Sequence, residues 1–276
     1  MKKFTRALCF ATLTLLLCNS ALAQPAFVIG VAPHTSARVI LDMYQPLRNY
    51  LEKALDLPID IVTAPDFDTL ARRALSQSYD LVITTGQQAR LLQTDANYTP
   101  LLTYKAVFKA VIIVSAKGPY HSTAALENSN VLGLSPTSQV TLWGRHWLND
   151  NGLSSLPIKY VSASDSLSHL VISGEAAAGF MSLANYQKLP EEERQQISLL
   201  AESKPMAGRI YLLNGRHEAL QKKIDTALWA FAETPEAKLY FDTNKLEGYR
   251  RLEADELIAM DGYAAEVRKA LESSPK

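Results

Sequence analysis

The sequence predicts an α/β protein of two lobes, each a mainly parallel sheet flanked by helices, with two strands crossing between them. Three observations carry this. Short apolar runs alternate with helical patterns almost to the end of the chain, which argues for doubly wound sheets. That alternation runs once to about residue 104 and starts again at Val131. Extended apolar segments near 104–114 and 200–213 lie between the two units, where the chain would cross from one lobe to the other.

Phe27 to Ala32 (FVIGVA) is a short apolar run ahead of Pro33 and reads as a buried strand. Ser36 then precedes a helical stretch with Val39, Ile40, Met43, Leu47, Leu51 and Leu55 on one side. Pro46 lies inside it and predicts a kink or a restart, since an interior proline costs about 3 kcal/mol. Ile59 to Thr63 is the next strand, Asp66 caps a helix through Leu75, and Asp80 to Thr84 is a third strand before a turn at Gly86. Leu101 to Tyr104 and Val107 to Ser115 are extended. The second unit begins with a strand at Val131 to Leu134. Thr137 or Ser138 then caps a helix to about Asn149, and Gly152 stops it. Ile158 to Val161 is a strand, Ser164 or Asp165 caps a helix to Ile172, and Ala177 to Met181 is a strand. After Ile197 to Ala201 and Ile210 to Leu213 the pattern is helical, with Leu220, Ile224, Leu228 and Phe231 at helical spacing.

The first 23 residues read differently. Lys2, Lys3 and Arg6 precede an apolar run from Ala7 to Cys18, and Ala21-Leu22-Ala23 ends in a small-x-small pattern. That is the layout of a secretory signal peptide. Its apolar run is shorter than the roughly 20 residues a membrane-spanning helix needs. The predicted cut follows Ala23, and the predicted location is the periplasm. The domain plan is then a signal peptide over 1–23, lobe 1 over 24–105 and 206–276, and lobe 2 over 106–205.

Cys9 and Cys18 leave with the signal, so the mature chain has no disulfide, thiolate nucleophile or cysteine metal site. Leu17 stands where a small residue should precede a lipidated cysteine, which argues against a lipoprotein at Cys18. Removing Lys2, Lys3 and Arg6 from 28 basic residues leaves 25 against 28 acidic ones, a net charge of −3. Nucleic acid calls for a basic face and is not a predicted partner.

The order of motifs resembles a family. Gly30-Val31-Ala32-Pro33 follows the first strand, and Tyr44-Gln45-Pro46-Leu47-Arg48-Asn49-Tyr50-Leu51-Glu52 follows it on a helix. Then come Asp66-Phe67-Asp68-Thr69-Leu70 and Asp80-Leu81-Val82-Ile83, with looser matches at Ser135-Pro136-Thr137-Ser138 and at Asp165-Ser166-Leu167 to Gly179. This is similar to the phosphate/phosphite/phosphonate-type solute-binding proteins of ABC importers. The resemblance implies a Venus-flytrap fold (the type II periplasmic binding protein fold) that closes on a small ligand. It implies ligand contacts from the cleft-facing loops: His34, Thr35 and Ser36; Thr84, Thr85 and Gly86; Ser135, Thr137, Ser138 and Gln139; and Ser182. The family's loop reads S-x-S-G at a helix start. Here Ser138 matches the first serine, while Val140 and Thr141 replace the second serine and the glycine.

Two of these turns suit an anion on physical grounds. Pro33 to Ser36 and Ser135 to Gln139 each lead from a strand into a helix, whose free N–H groups and positive dipole end attract negative charge. The same residues also serve as ordinary N-caps, each worth about 1 kcal/mol. Tyr104, Lys105 and Arg209 lie near the crossing strands, where one of them would supply an aromatic wall or a charge; Tyr104 is taken as the site residue. Trp143 and Trp147 share a helix face, which leaves Arg145 and His146 toward solvent. The five histidines are scattered, and no serine-hydrolase elbow or phosphate-binding glycine loop is present. The expectation is a binding protein without a cofactor or catalysis. Its partners would be a small anion and an ABC permease, or alternatively a membrane sensor kinase.

Overall fold

The computed structural model describes residues 25–273; the signal segment and its cut site lie outside the described residues. The chain runs β1 (Phe27–Val31), α1 (Ala37–Leu55), β2 (Ile59–Thr63), α2 (Phe67–Leu75), β3 (Leu81–Thr85), α3 (Gly86–Asp95) and β4 (Tyr98–Tyr104). After 105–109 it continues as β5 (Ala110–Ser115), β6 (Val131–Gly133), α4 (Gln139–Asp150), β7 (Ile158–Tyr160), α5 (Ser164–Ile172), β8 (Ala178–Ser182), α6 (Leu183–Lys188), α7 (Glu191–Arg194) and β9 (Ile197–Glu202). It returns through 203–208 to β10 (Arg209–Asn214), α8 (Gln221–Ala232), α9 (Pro235–Asn244), β11 (Tyr249–Arg250) and α10 (Asp261–Ser273).

Two sheets form, in the orders β11-β4-β10-β3-β1-β2 and β7-β6-β8-β5-β9. β1 is parallel to β2 and β3, and β6 is parallel to β7 and β8. β10 runs antiparallel to β3 and β4, and β5 runs antiparallel to β8 and β9. Each sheet is therefore mixed rather than mainly parallel. The reason is topological. The parallel strands end at the cleft, so a strand entering a lobe from the cleft must run against them. The two linkers also hold each other: Met206 N–H donates to Phe108 O at 3.0 Å, and Ala110 N–H donates to Ser203 Oγ at 2.9 Å.

Local sequence explains most elements. Helix α1 buries Ile40, Met43, Tyr44, Leu47, Leu51 and Leu55 along one stripe. It continues through Pro46 without a restart. Burial of that stripe, about 1.5–3 kcal/mol per large side chain, outweighs the lost hydrogen bond. Asp66 caps α2 by accepting from Thr69 N–H at 2.6 Å. The N-cap of α5 is Ala163, so neither Ser164 nor Asp165 caps it; both side chains instead meet residues of the other lobe. A whole helix, α3, follows β3 where the sequence suggested only a turn. Gly86 opens it because the chain is pressed against the returning linker: a Cβ there would lie 2.6 Å from Ala207 Cβ.

The candidate ligand-binding cleft

Side chains from both lobes meet across the cleft. Thr35 donates to the Asp165 carboxylate at 3.0 Å, and Thr137 donates to the Asp68 carboxylate. Asn185 Nδ2 and Ser164 Oγ donate to His34 O at 3.0 and 3.2 Å. Gln87 Nε2 donates to Thr137 O at 2.9 Å and Gln139 Nε2 to Ala207 O at 3.0 Å. Farther out, Glu266 of α10 takes Arg145 at 2.7 Å and His146 at 2.6 Å, both from α4. The sequence placed these two toward solvent. Their helix face instead meets the C-terminal helix, whose docking no local pattern reveals.

These contacts border a small, partly open cavity of about 40 Å3. Its polar lining is His34, Thr85, Ser138, Gln139, Ser182, Asn185 and Arg209; Phe67, Phe108, Leu134, Val140 and Ala184 supply the apolar part. Arg209 opens β10 and enters from the returning crossing strand. Its guanidinium donates to His34 Nε2 at 3.0 Å and lies 5.4 Å from the centre of the Tyr104 ring. No carboxylate pairs with it among the described residues. The His34 Nδ1–H donates to Ala32 O at 2.8 Å, leaving Nε2 as the acceptor for Arg209. Burial holds this imidazole well below its ordinary 6.5, and the Arg209 charge pushes it further down.

Beneath Arg209 lies a buried cluster of tyrosine hydroxyls. Tyr104 bonds Tyr211 at 2.7 Å, Tyr240 at 2.5 Å and Tyr44 at 3.4 Å, and Tyr211 bonds Tyr249 at 2.9 Å. All five residues are at most 3% exposed. They fix the floor on which the guanidinium rests.

Two helix starts border the cavity. Thr85 is the N-cap residue of α3 but makes no capping bond, and its Oγ1 is buried without a hydrogen-bond partner. Ser138 caps α4, accepting from Thr141 N–H at 3.4 Å, and its hydroxyl donates to Thr141 Oγ1 at 2.8 Å. Ser182 caps α6 by accepting from Asn185 N–H at 3.1 Å.

Of the twelve residues named from sequence, His34, Thr85, Ser138, Gln139 and Ser182 line the cavity. Thr35 and Thr137 sit beside it and reach across to the opposite lobe. Ser36 is an N-cap without a side-chain bond. Thr84 is committed to Gln88 Oε1 at 2.7 Å, and Ser135 lies 3.5 Å from the Thr137 hydroxyl. Gly86 serves the close approach to Ala207, and Tyr104 serves as the floor under Arg209. Of the two cations that the sequence places near the crossing strands, Arg209 lines the cavity and Lys105 is exposed. Asn185 and the apolar wall were not singled out. One signal for Arg209 was available: strand alternation puts it on the same face as Tyr211, which is fully buried.

Residues 29–257 match the family described as ABC transporter, phosphonate, periplasmic substrate-binding protein. The chain belongs to this family. No curated protein matches it in sequence. Solved structures share its fold. The PhnD1 of Prochlorococcus marinus, solved with methylphosphonate, is 16% identical with a TM-score of 0.78, over 88% of this chain and 98% of that one. A binding protein component of an ABC phosphonate transporter from Pseudomonas aeruginosa is 12% identical with a TM-score of 0.78, over 92% and 91%. A Xanthomonas citri protein solved with ATP is 17% identical with a TM-score of 0.72, over 91% and 99%. The two-lobed periplasmic-binding fold is thus established. The phosphonate-type family is one of transport rather than catalysis, and its membership favours an ABC importer over a sensor kinase as the partner.

Proposed function

We propose that this protein captures a small oxyanion, phosphonate- or phosphate-like, in the interlobe cavity and delivers it to an ABC permease. The observation that carries this reading is Arg209. A partly buried guanidinium lines the interlobe cavity with no carboxylate to balance it among the described residues. Such a charge calls for an anionic partner, because removing it from water unpaired is costly. Thr85 Oγ1, buried and unpartnered in the same wall, supplies a free donor. The α3 and α4 starts add backbone N–H groups. The moving bodies are lobe 1, residues 24–105 and 206–276, and lobe 2, residues 106–205, working in the periplasm after a cut following Ala23.

A thermal-shift screen of residues 24–276 tests this. Phosphate, phosphite, methylphosphonate, sulfate, methanesulfonate and small carboxylates are the probes. At least one anion is expected to raise Tm with concentration, and Arg209→Gln is expected to remove the shift. If none of these anions moves Tm, the reading fails.

A further inference from the structure

His34 stands in the cavity wall where the opposite lobe and the Arg209 cation meet. Every one of its polar groups is committed. The backbone N–H donates to Ala32 O at 2.9 Å, and the ring Nδ1–H donates to the same oxygen at 2.8 Å. The backbone oxygen accepts from Asn185 Nδ2 at 3.0 Å and from Ser164 Oγ at 3.2 Å, both from lobe 2. Nε2 faces the Arg209 guanidinium at 3.0 Å. Arginine carries no acceptor, so Nε2 is the unprotonated nitrogen of the ring.

Arg209 depends on such a hold. On its floor side it rests 5.4 Å from the Tyr104 ring centre, with Tyr44 as a hydrogen-bonding neighbour. In the cavity wall its partner is His34. A long side chain that is oriented beforehand loses less freedom when a ligand arrives. A chain of bonds thus runs from Asn185 on α6, through the His34 backbone and ring, to the guanidinium on β10. Opening of the lobes would break its first link and release the Pro33 to Ser36 loop that carries the ring.

Resting on the anion-capture reading above, we propose that His34 is a positioning residue: its Nε2 aims Arg209 at the ligand, and lobe 2, by gripping the His34 carbonyl, ties that aim to closure. Anion binding and closure then favour each other, because both depend on one chain of bonds. The imidazole gives no hydrogen bond to the anion, since both ring nitrogens are already in use.

Variants that copy one ring nitrogen at a time test this. A glutamine amide reaches as far as Nε2 and can accept from Arg209. An asparagine amide ends near Nδ1 and can donate only to Ala32 O. Titration calorimetry of residues 24–276 with methylphosphonate reads the affinities. His34→Asn and His34→Leu are each expected to weaken binding about tenfold, whereas His34→Gln stays within about threefold of wild type. If His34 only braces its loop through Ala32, His34→Asn keeps the affinity and His34→Gln loses it, and the proposal is overturned. Equal affinities of His34→Gln and His34→Asn overturn it too. Melting curves without ligand show which variants fold, and His34→Gln against His34→Asn decides the matter should His34→Leu unfold. Asn185→Ala tests the tie to closure. It is expected to weaken binding about three- to fivefold in the wild-type background and less than about twofold beside His34→Asn. Equal losses in both backgrounds would place Asn185 on the ligand directly and overturn the tie. Should wild type bind another anion of the thermal-shift screen instead, that anion replaces methylphosphonate. Should it bind none, anion capture itself falls, and this proposal with it.

Discussion

The two cleft loops, Pro33 to Ser36 in lobe 1 and Ser135 to Gln139 in lobe 2, occupy equivalent places and divide the work unequally. Each follows the strand that sits between two parallel neighbours, β1 between β2 and β3 and β6 between β7 and β8. Each sends a threonine to a carboxylate at the second residue of a helix in the other lobe, Thr35 to Asp165 and Thr137 to Asp68. The two latches form a reciprocal pair. Their surroundings differ, however: Asp68 is half-buried and Asp165 is exposed. The loops also differ in what they give the cavity. Lobe 1 brings neutral His34 and, through β10, the cation. Lobe 2 brings a capping serine and a buried amide. Equivalent position thus conserves the closing device, while the chemistry of recognition is split between charge on one side and neutral groups on the other.

The sharpest way to break this division is Arg209→Gln. It is expected to cost about 2–3 kcal/mol of anion affinity, roughly 30- to 150-fold by calorimetry. An affinity within about threefold of wild type would show that lobe 2 recognises the ligand alone. Next come the latches. Thr137→Val, at the half-buried carboxylate, should weaken binding by about 1–2 kcal/mol. Thr35→Val, at the exposed one, should cost under about 1 kcal/mol. Equal losses would remove the asymmetry drawn here between them. Glu266→Gln loosens the outer clasp on Arg145 and His146. These side chains are 31–44% exposed, so solvent screening limits the loss to under about 1 kcal/mol.

The smallest expected effect is one of pH on closure without ligand. The cleft contacts hold His34 below its ordinary 6.5, and opening of the lobes would expose it to water and relieve that shift. As pH falls through about 6.5, the open form takes up a proton that the closed form refuses, so the balance moves toward opening. The radius of gyration measured by small-angle scattering should rise between about pH 7.5 and about pH 5.5. His34→Gln should flatten that rise, and an unchanged slope in this variant would assign it to another group.

The sequence made the alternation of elements legible because periodicity is local: the α1 stripe and the fully buried β3 need only near neighbours to be recognised. The second crossing of the cleft is visible as the apolar run Ile210 to Leu213, directly after Arg209. What that arginine meets was not visible, since Tyr104 and His34 lie far from it in the chain. The same holds for Asp68 and Asp165. Their motifs, Asp68-Thr69-Leu70 and Asp165-Ser166-Leu167, repeat at matching places in the two units, but only the folded cleft joins each to a threonine of the other lobe. The mixed sheets have a similar origin, because strand direction follows from where the chain re-enters, which composition does not encode.

The tyrosine cluster under Arg209 gives the protein an internal optical gauge. Burial pushes the hydroxyls of Tyr104, Tyr211, Tyr240 and Tyr249 well above their ordinary 10. In rising alkali the unfolded chain would release these protons first, so high pH draws lobe 1 toward unfolding. Phenolate absorbance should therefore appear in two stages: a gradual one from the outer rings among the chain's 12 tyrosines, then a cooperative jump as the floor of the cleft gives way. A bound anion, by holding the cleft together, would move that jump to higher alkalinity and make occupancy visible without any label.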